Sequence, residues 1–261
     1  MKKLIDSPTP ILFVQYPVGA GGWFLTSLLY TAFNPEETLK HNSNGSGHAN
    51  TKITSLNNFA MISLEDEYQS ILYQTESNIS RDDKIQHIRN TLINNPHKEE
   101  DRVHTISIHC QDINVFLEAF PNSKAIQIEI KDEQIPLCAF NFIHKVLKTN
   151  LIYFEKICKD YGKNFEVEKL YLENVDLLAL ENLKWINKLI DKSNIKEEVI
   201  ENFDNRVLTI EYDQYIKHAD AGHLITYIDN FLQAEWSPLT KHRLVDELEL
   251  YRTIQPTYPQ T

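Results

Sequence analysis

The amino-acid sequence predicts an α/β protein, a three-layer sandwich with a mostly parallel central sheet. Short apolar or β-branched runs alternate along the chain with longer runs of helical periodicity, a pattern typical of strands joined by crossover helices. The 261 residues are 42% hydrophobic and 24% charged, ordinary values for a globular protein that buries a core. Because neither a repeat nor a low-complexity linker interrupts the chain, residues 1–261 are interpreted as one helix-rich domain.

Each predicted strand is short. The first follows two prolines and is continuously apolar, as in a strand buried on both faces. The others are rich in β-branched residues or alternate between apolar and polar positions. They are "ILFVQY" from Ile11, "RVHTISIHC" from Arg102, "KAIQIEI" from Lys124 and "RVLTIEY" from Arg206.

Helical periodicity predicts more helices than strands, so some helices must lie beyond the layers that cover the sheet. One long helix is expected from Asp132 to a stop at Gly162. The others are expected at Gly22–Phe33, Leu64–Gln74, Arg81–Asn94, Asp112–Ala119, Val175–Lys192 and Lys196–Phe203, with two amphipathic helices from Ala219 and Pro238.

Composition excludes several classes of protein. The formal net charge of −11 disfavours a nucleic-acid binder or a protein that docks on an anionic membrane, because both need a basic face. No run is long and apolar enough to span a bilayer, and "MKKLIDSPTP" lacks the apolar segment of a signal peptide. Cys110, Cys138 and Cys158 match no zinc spacing and are interpreted as reduced, which predicts a cytoplasmic protein without a metal site.

A glycine-rich turn, which we call the glycine turn (residues 16–22), joins the first strand to the first helix in "ILFVQYPVGAGGWFLTSLLY". The free amides and the dipole of a helix N-terminus favour an anion at such a place. Thr26 and Ser27 are predicted to add hydroxyl donors. The alternative is that Gly19, Gly21 and Gly22 only allow close packing. The glycine spacing matches neither a Walker A loop nor a dinucleotide fingerprint.

"YPVGAGGWFLTSLL" resembles the 5′-phosphosulfate loop of the sulfotransferase family. These P-loop-like proteins use 3′-phosphoadenosine 5′-phosphosulfate (PAPS), and their loop reads roughly Tyr-Pro-Lys-Ser-Gly-Thr-Thr-Trp. Tyr16, Pro17 and Trp23 match it in place. "RVHTISIHC", "FPNSKAIQIEIKDE" and "VLTIEYDQYIKHADAGHLITYIDNFLQAE" resemble later blocks of the family in the same order. The chain is also similar to divergent sulfotransferase-like proteins of marine bacteriophages and bacteria.

The resemblance implies a P-loop-like fold that transfers a sulfuryl group from PAPS to a hydroxyl or amine of a small-molecule or glycan acceptor. It makes His109 the catalytic base, since an imidazole titrates near neutral pH. It assigns the binding of PAPS, or of adenosine 3′,5′-bisphosphate, to Val18, Gly19, Ala20, Gly21, Gly22, Trp23 and Lys131.

Three departures from the family pattern leave alternatives open. Val18 replaces the loop lysine, Lys131 replaces the arginine of the 3′-phosphate site, and Ala139 replaces a serine. A cation from elsewhere in the chain is then needed, and the candidates are Arg81, Arg89, Lys145, Lys148 and Arg243. One alternative is a sulfotransferase-fold protein that has lost catalysis and acts as a binding or structural module. A kinase-like transferase is a third reading, disfavoured by the missing Walker lysine.

Overall fold

The computed structural model describes residues 11–17, 19–35, 80–93, 103–108, 113–174, 185–187, 205–218 and 220–253. Several predicted features lie outside these residues. They are Val18, His109, Cys110, the helices Leu64–Gln74 and Lys196–Phe203, and most of the helix Val175–Lys192.

A four-stranded, all-parallel sheet forms the centre of the described structure. Its strands are β1 (Ile11–Gln15), β2 (His104–Ile108), β3 (Lys124–Glu129) and β4 (Val207–Glu211), in the spatial order β2-β1-β3-β4. In register, Val14 of β1 lies beside Ser107 of β2 and Ile126 of β3. All four predicted strands are therefore confirmed, and the sheet is parallel as expected for an α/β protein.

Helices outnumber strands in the described structure, as the sequence predicts. None of the described helices combines the length and apolarity needed to cross a membrane. The helices are α1 (Gly22–Phe33), α2 (Arg81–Ile93), α3 (Asn114–Ala119), α4 (Ile135–Thr149), α5 (Leu151–Asp160), α6 (Phe165–Asn174), α7 (Ala221–Leu232) and α8 (Pro238–Thr253).

Both faces of the sheet are covered by helices. Successive residues of a strand point to opposite faces, and β1 follows this rule. Leu12 and Val14 belong to a large hydrophobic cluster with residues of α1, α4, α7 and α8. Ile11 and Phe13 belong to a second cluster with residues of α2 and α3. Since β1 is fully buried on both faces, its apolar run needs no alternation.

The predicted helix from Asp132 to Gly162 is wrong as a single element. Residues Asp132–Gln134 form a 3₁₀ turn, and Asn150 separates α4 from α5. The Asn150 side-chain oxygen accepts a hydrogen bond from the amide of Tyr153 at 3.1 Å, so Asn150 caps α5. The predicted stop at Gly162 is confirmed, with φ +65° at that residue. Helix α6 was not predicted.

The last described helix, α8, braces the first. Arg243 of α8 donates hydrogen bonds to the carbonyls of Thr31 at 2.6 Å and Pro35 at 3.2 Å, at the carboxyl end of α1. A cation at this position also complements the negative end of the helix dipole. At the other end of α1, the rings of Phe24 and Tyr251 stack with centroids 3.8 Å apart. Helix α8 thus holds α1 at both ends.

Arg206, just before β4, ties that strand to the connection between α3 and β3. Its guanidinium donates to the carbonyls of Leu117 at 2.8 Å and Phe120 at 3.2 Å. Arg206→Met is expected to destabilise the fold by about 2–3 kcal/mol in urea unfolding, because charged hydrogen bonds to buried carbonyls are lost. Arg81→Met is the control, since Arg81 makes an exposed ion pair with Glu118 whose loss costs about 1 kcal/mol or less. Equal losses for both variants would contradict this role of Arg206.

Candidate functional site

The glycine turn and Lys131 lie at the same edge of the sheet, on neighbouring strands. The chain leaves β1 toward β2 on one side and leaves β3 toward β4 on the other. The carboxyl ends of β1 and β3 therefore form a topological switch point, where open α/β sheets bind ligands. The glycine turn follows β1 and Lys131 follows β3, so this edge is the candidate functional site.

The glycine turn needs its glycines for backbone conformation. Gly19 and Gly21 have φ of +83° and +74°, in the left-handed region that other residues rarely adopt. Between them, the amide of Ala20 donates to the carbonyl of Pro17 at 3.1 Å and closes a tight turn. The side chain of Ala20 is fully buried. The turn is therefore part of the packed core as well as a connection.

All three glycines of the turn also pack closely against neighbours. A Cβ atom on Gly19 would overlap the backbone carbonyl of Cys138 in α4, and one on Gly22 would overlap the ring of Tyr16. A Cβ on Gly21 would meet the hydroxyl of Tyr251 in α8. The interpretation that the three glycines allow close packing is therefore confirmed.

The amino end of α1 nevertheless keeps unsatisfied donors. Gly21 is its N-cap and offers no side-chain hydrogen bond, and the first turn of the helix has no acidic residue. By contrast, α5 and α7 are capped by Asn150 and Asp220. Four backbone amides of the turn and of the start of α1 find no backbone acceptor among the described residues, those of Gly19, Gly21, Gly22 and Trp23. Such donors and the helix dipole attract an anion.

Gln134 adds a side-chain donor near the same edge. Its oxygen accepts from the amide of Lys131 at 2.8 Å, while its Nε2 finds no partner among the described residues although the side chain is 4% exposed. Gln134 lies one helical turn before Cys138, whose carbonyl abuts Gly19. A buried amide group without an acceptor is costly, so this donor also favours a ligand that accepts hydrogen bonds.

The predicted hydroxyl donors do not serve the turn. Thr26 is fully buried, and its hydroxyl donates to the carbonyl of Gly22 within α1 at 2.8 Å. Ser27 is also fully buried and has its own partner. The prediction for these two residues is wrong, because the helical backbone turns both side chains toward the sheet and the core. Trp23 is half-buried and packs against the large hydrophobic cluster.

Two tyrosines that the sequence analysis did not single out lie against the turn. The hydroxyl of Tyr215 donates to the carbonyl of Gly21 at 3.0 Å, and its ring lies 6.1 Å from that of Tyr251. Burial raises the pKa of both phenols above the usual value, so each stays protonated and able to donate. In the sequence, the signal that could have found these two residues was their aromatic character in the last part of the chain.

Arg252 is linked to the turn through Tyr215. Its Nε donates to the carbonyl of Tyr215 at 3.0 Å, and its side chain is 10% exposed and paired with Glu249 at 3.1 Å.

Three of the predicted replacement cations are engaged elsewhere, namely Arg81 with Glu118, Arg89 with the carbonyl of Ala119 and Arg243 with that of Thr31. The side chains of Lys145 and Lys148 lie outside the described residues.

Lys131 is turned away from the glycine turn. Its ammonium lies 3.0 Å from Glu211 Oε2 at the end of β4, and both side chains are about half exposed. The hydrogen bond and the charge of Glu211 raise the pKa of Lys131. Because β3 separates β4 from β1, this ion pair directs the ammonium to the side of β3 opposite the turn.

Val18 and His109 lie outside the described residues, so the role of His109 as a base stays a prediction. The structure brings together Gly19, Ala20, Gly21, Gly22 and Trp23, and places Lys131 on the neighbouring strand end. No protein-family model, no curated protein and no solved structure matches the chain.

Proposed function

We propose that the chain is a sulfotransferase-like protein that transfers a sulfuryl group from PAPS to a hydroxyl or amine of a small-molecule or glycan acceptor. The observation that carries the proposal is the set of hydrogen-bond donors without acceptors at the switch point, comprising the amides of the glycine turn and Nε2 of Gln134. A sulfotransferase version of the P-loop fold is part of the proposal. The all-parallel sheet, with the turn after its first strand, supports it.

The residues at this edge fit one end of PAPS and not the other. The anionic chain at the 5′ position accepts hydrogen bonds only, which suits the amides of the turn and the positive end of α1. The 3′-phosphate is assigned by resemblance to Lys131, which is already paired with Glu211. In this proposal the turn holds the 5′ chain, and His109 removes the proton of the acceptor.

A binding or structural module that has lost catalysis is the second candidate. Tight packing favours it, since Cys138, Tyr16 and Tyr251 occupy the space beside the three glycines. The ring of Tyr16, in particular, lies directly against Gly22. In this candidate the same contacts serve only to fasten α1 to α4 and α8.

Titration calorimetry with adenosine 3′,5′-bisphosphate separates the two candidates. A sulfotransferase-like protein is expected to bind it more tightly than about 1 mM, equivalent to about −4 kcal/mol. The absence of heat at millimolar ligand would remove the transferase proposal and leave the module.

His109→Ala then tests the chemistry in a transfer assay with labelled PAPS and a panel of hydroxyl and amine acceptors. The variant is expected to keep nucleotide affinity and to lose about 10²–10⁴-fold in transfer, the contribution typical of a general base. His242→Ala is the control, because His242 is an exposed residue of α8 whose Nε2 lies 3.5 Å from Oδ2 of Asp246. Unchanged transfer by His109→Ala would exclude this residue as the base.

A further inference from the structure

Tyr215 contacts the glycine turn from a π-helical turn, Gln214–His218, that follows β4. Turns of this kind are rare and occur frequently at functional sites. The side chain of Tyr215 is fully buried, and its hydroxyl donates to the carbonyl of Gly21 at 3.0 Å. A phenylalanine would fill the same buried space without needing an acceptor, so packing alone does not explain the hydroxyl.

The carbonyl of Gly21 does not need this hydrogen bond. It already accepts from the amides of Phe24 at 3.0 Å and Leu25 at 3.4 Å in the first turn of α1. A backbone carbonyl has two lone pairs, and the helix supplies a donor for each. The Tyr215 hydroxyl therefore adds little to the stability of α1, and its effect falls on the peptide that joins Gly21 to Gly22.

That peptide carries one of the amides that lack a backbone acceptor among the described residues. Because the peptide is trans, the carbonyl of Gly21 and the amide of Gly22 point in opposite directions. A hydroxyl bound to the carbonyl therefore fixes the direction of the amide, which points out of the amino end of α1. The hydroxyl also polarises the peptide, which strengthens the amide as a donor by about 10–30%.

Arg252 holds Tyr215 in place. Its Nε donates to the carbonyl of Tyr215 at 3.0 Å and its Nη2 to that of Gln214 at 3.1 Å, so the guanidinium binds two successive carbonyls of the π-helical turn. Burial is the main cause that raises the pKa of the Tyr215 phenol, and the positive charge of Arg252 acts against it. A nearby cation favours the ionised form of a phenol, and by the same effect it makes the hydroxyl a stronger donor.

From these contacts we propose that Tyr215 is a positioning residue of the anion site. Its hydroxyl fixes the Gly21–Gly22 peptide so that the amide of Gly22 binds an oxygen of the sulfuryl-phosphate chain, and Arg252 acts on the same amide through Tyr215. The inference rests on the proposed function, since it concerns the 5′ chain that the glycine turn holds. It also identifies a cation that serves the turn although Val18 replaces the lysine of the sulfotransferase loop.

The test follows the Gly22 amide by NMR in protein labelled with ¹⁵N and carbonyl-¹³C glycine. The chain has seven glycines, and Gly22 is the one that follows another glycine in the sequence, so its signal is identified directly. Titration with inorganic sulfate and with adenosine 3′,5′-bisphosphate is expected to shift this signal. The signal of Gly162, whose amide donates to the carbonyl of Lys159 at 3.1 Å, should not move.

Tyr215→Phe is expected to weaken the binding of both anions about three- to tenfold, the loss typical of one hydrogen bond, and to reduce the Gly22 shift. Tyr212→Phe is the matched control, because Tyr212 is also a buried tyrosine after β4 but its hydroxyl accepts from Asn141 of α4 at 3.3 Å. Both variants remove one buried hydroxyl, so thermal unfolding should report similar losses of stability. A loss of affinity confined to Tyr215→Phe therefore reflects the position of the amide and not the stability of the fold.

Arg252→Gln tests the contribution of the guanidinium. It is expected to weaken sulfate binding in the unmodified background and to add little to the loss in Tyr215→Phe, because the effects of residues that act through one another are not additive. Arg252→Lys keeps the charge but loses the paired hydrogen bonds to the two carbonyls, so it should retain part of the affinity that Arg252→Gln loses. Additive losses in the double variant would overturn the role of Arg252.

The outcomes distinguish this inference from the proposed function. Binding of the bisphosphate with no shift of Gly22, or equal affinities of Tyr215→Phe and Tyr212→Phe, would overturn the role of Tyr215 and leave the sulfotransferase proposal in place. A Gly22 shift with sulfate that Tyr215→Phe weakens, without binding of the bisphosphate, would support Tyr215 as a positioning residue for an anion and remove the proposed function. If neither anion binds at millimolar concentration, both proposals fail.

Discussion

Gly19→Ala is expected to destabilise the protein by about 2–5 kcal/mol. The alanine would have to adopt a φ of +83°, a left-handed conformation that costs an L-residue about 1–2 kcal/mol. It would also overlap the backbone carbonyl of Cys138. That atom belongs to the helical backbone of α4 and cannot move aside as a flexible side chain would, so overpacking adds about 1–3 kcal/mol. Urea unfolding measures the sum.

Gly162→Ala separates the two contributions. Gly162 also has a positive φ, +65°, but a Cβ there meets nothing within 4 Å. Its substitution is therefore expected to cost only the conformational part, about 1–2 kcal/mol. If Gly19→Ala cost no more than Gly162→Ala, the turn would not pack against α4 as described. A larger loss at Gly19 would confirm that the turn and α4 form one rigid edge.

Tyr251→Ala is expected to cost about 3–5 kcal/mol, the range for removing a large aromatic side chain from a core. Tyr251 is 3% exposed, stacks on Phe24 and lies beside Gly21 and Tyr215. Its loss would leave a cavity between α1 and α8 at the level of the glycine turn. Thermal and urea unfolding should both report the loss as a cooperative shift.

Two further variants show whether the loss of stability in Tyr251→Ala comes from the buried ring. Tyr251→Phe keeps the stacked ring and removes only the hydroxyl, so a loss of about 1 kcal/mol is expected. Tyr227→Ala removes a tyrosine that is 49% exposed on α7, and surface changes of this kind are usually within about 0.5 kcal/mol. A small effect of Tyr251→Ala, similar to that of Tyr227→Ala, would show that α8 does not brace the turn.

The strands were predictable because their signals are local. In β3, Ala125, Ile126 and Ile128 stand between the turn "PNS" and a charged segment, and the strand ends at Glu129. The helix break at Asn150 was not predictable from periodicity, since Leu147, Leu151 and Phe154 continue the apolar spacing across it. The break depends on a side-chain cap at one residue, and asparagine competes locally with the helical backbone.

Of the candidate site, only the backbone conformation of the glycine turn was predictable from the sequence. Three glycines between a strand and a helix indicate a tight turn, and φ is positive at two of them. What surrounds the turn comes from distant parts of the chain, such as Tyr215, which lies 194 residues after Gly21. The direction of the Lys131 ammonium depends on β4 as its neighbour, a pairing that no local pattern contains.

The bracing of α1 by α8 has a consequence for the order of events during protein synthesis. The glycine turn and α1 leave the ribosome long before Tyr251 and Arg243, which complete their packing. Until then the buried residues of α1, among them Phe24 and Leu28, lack part of their final contacts. Because such long-range contacts close late, the edge of the sheet that holds the candidate site matures only after α8 has emerged, and until then a nascent chain must keep α1 from aggregating.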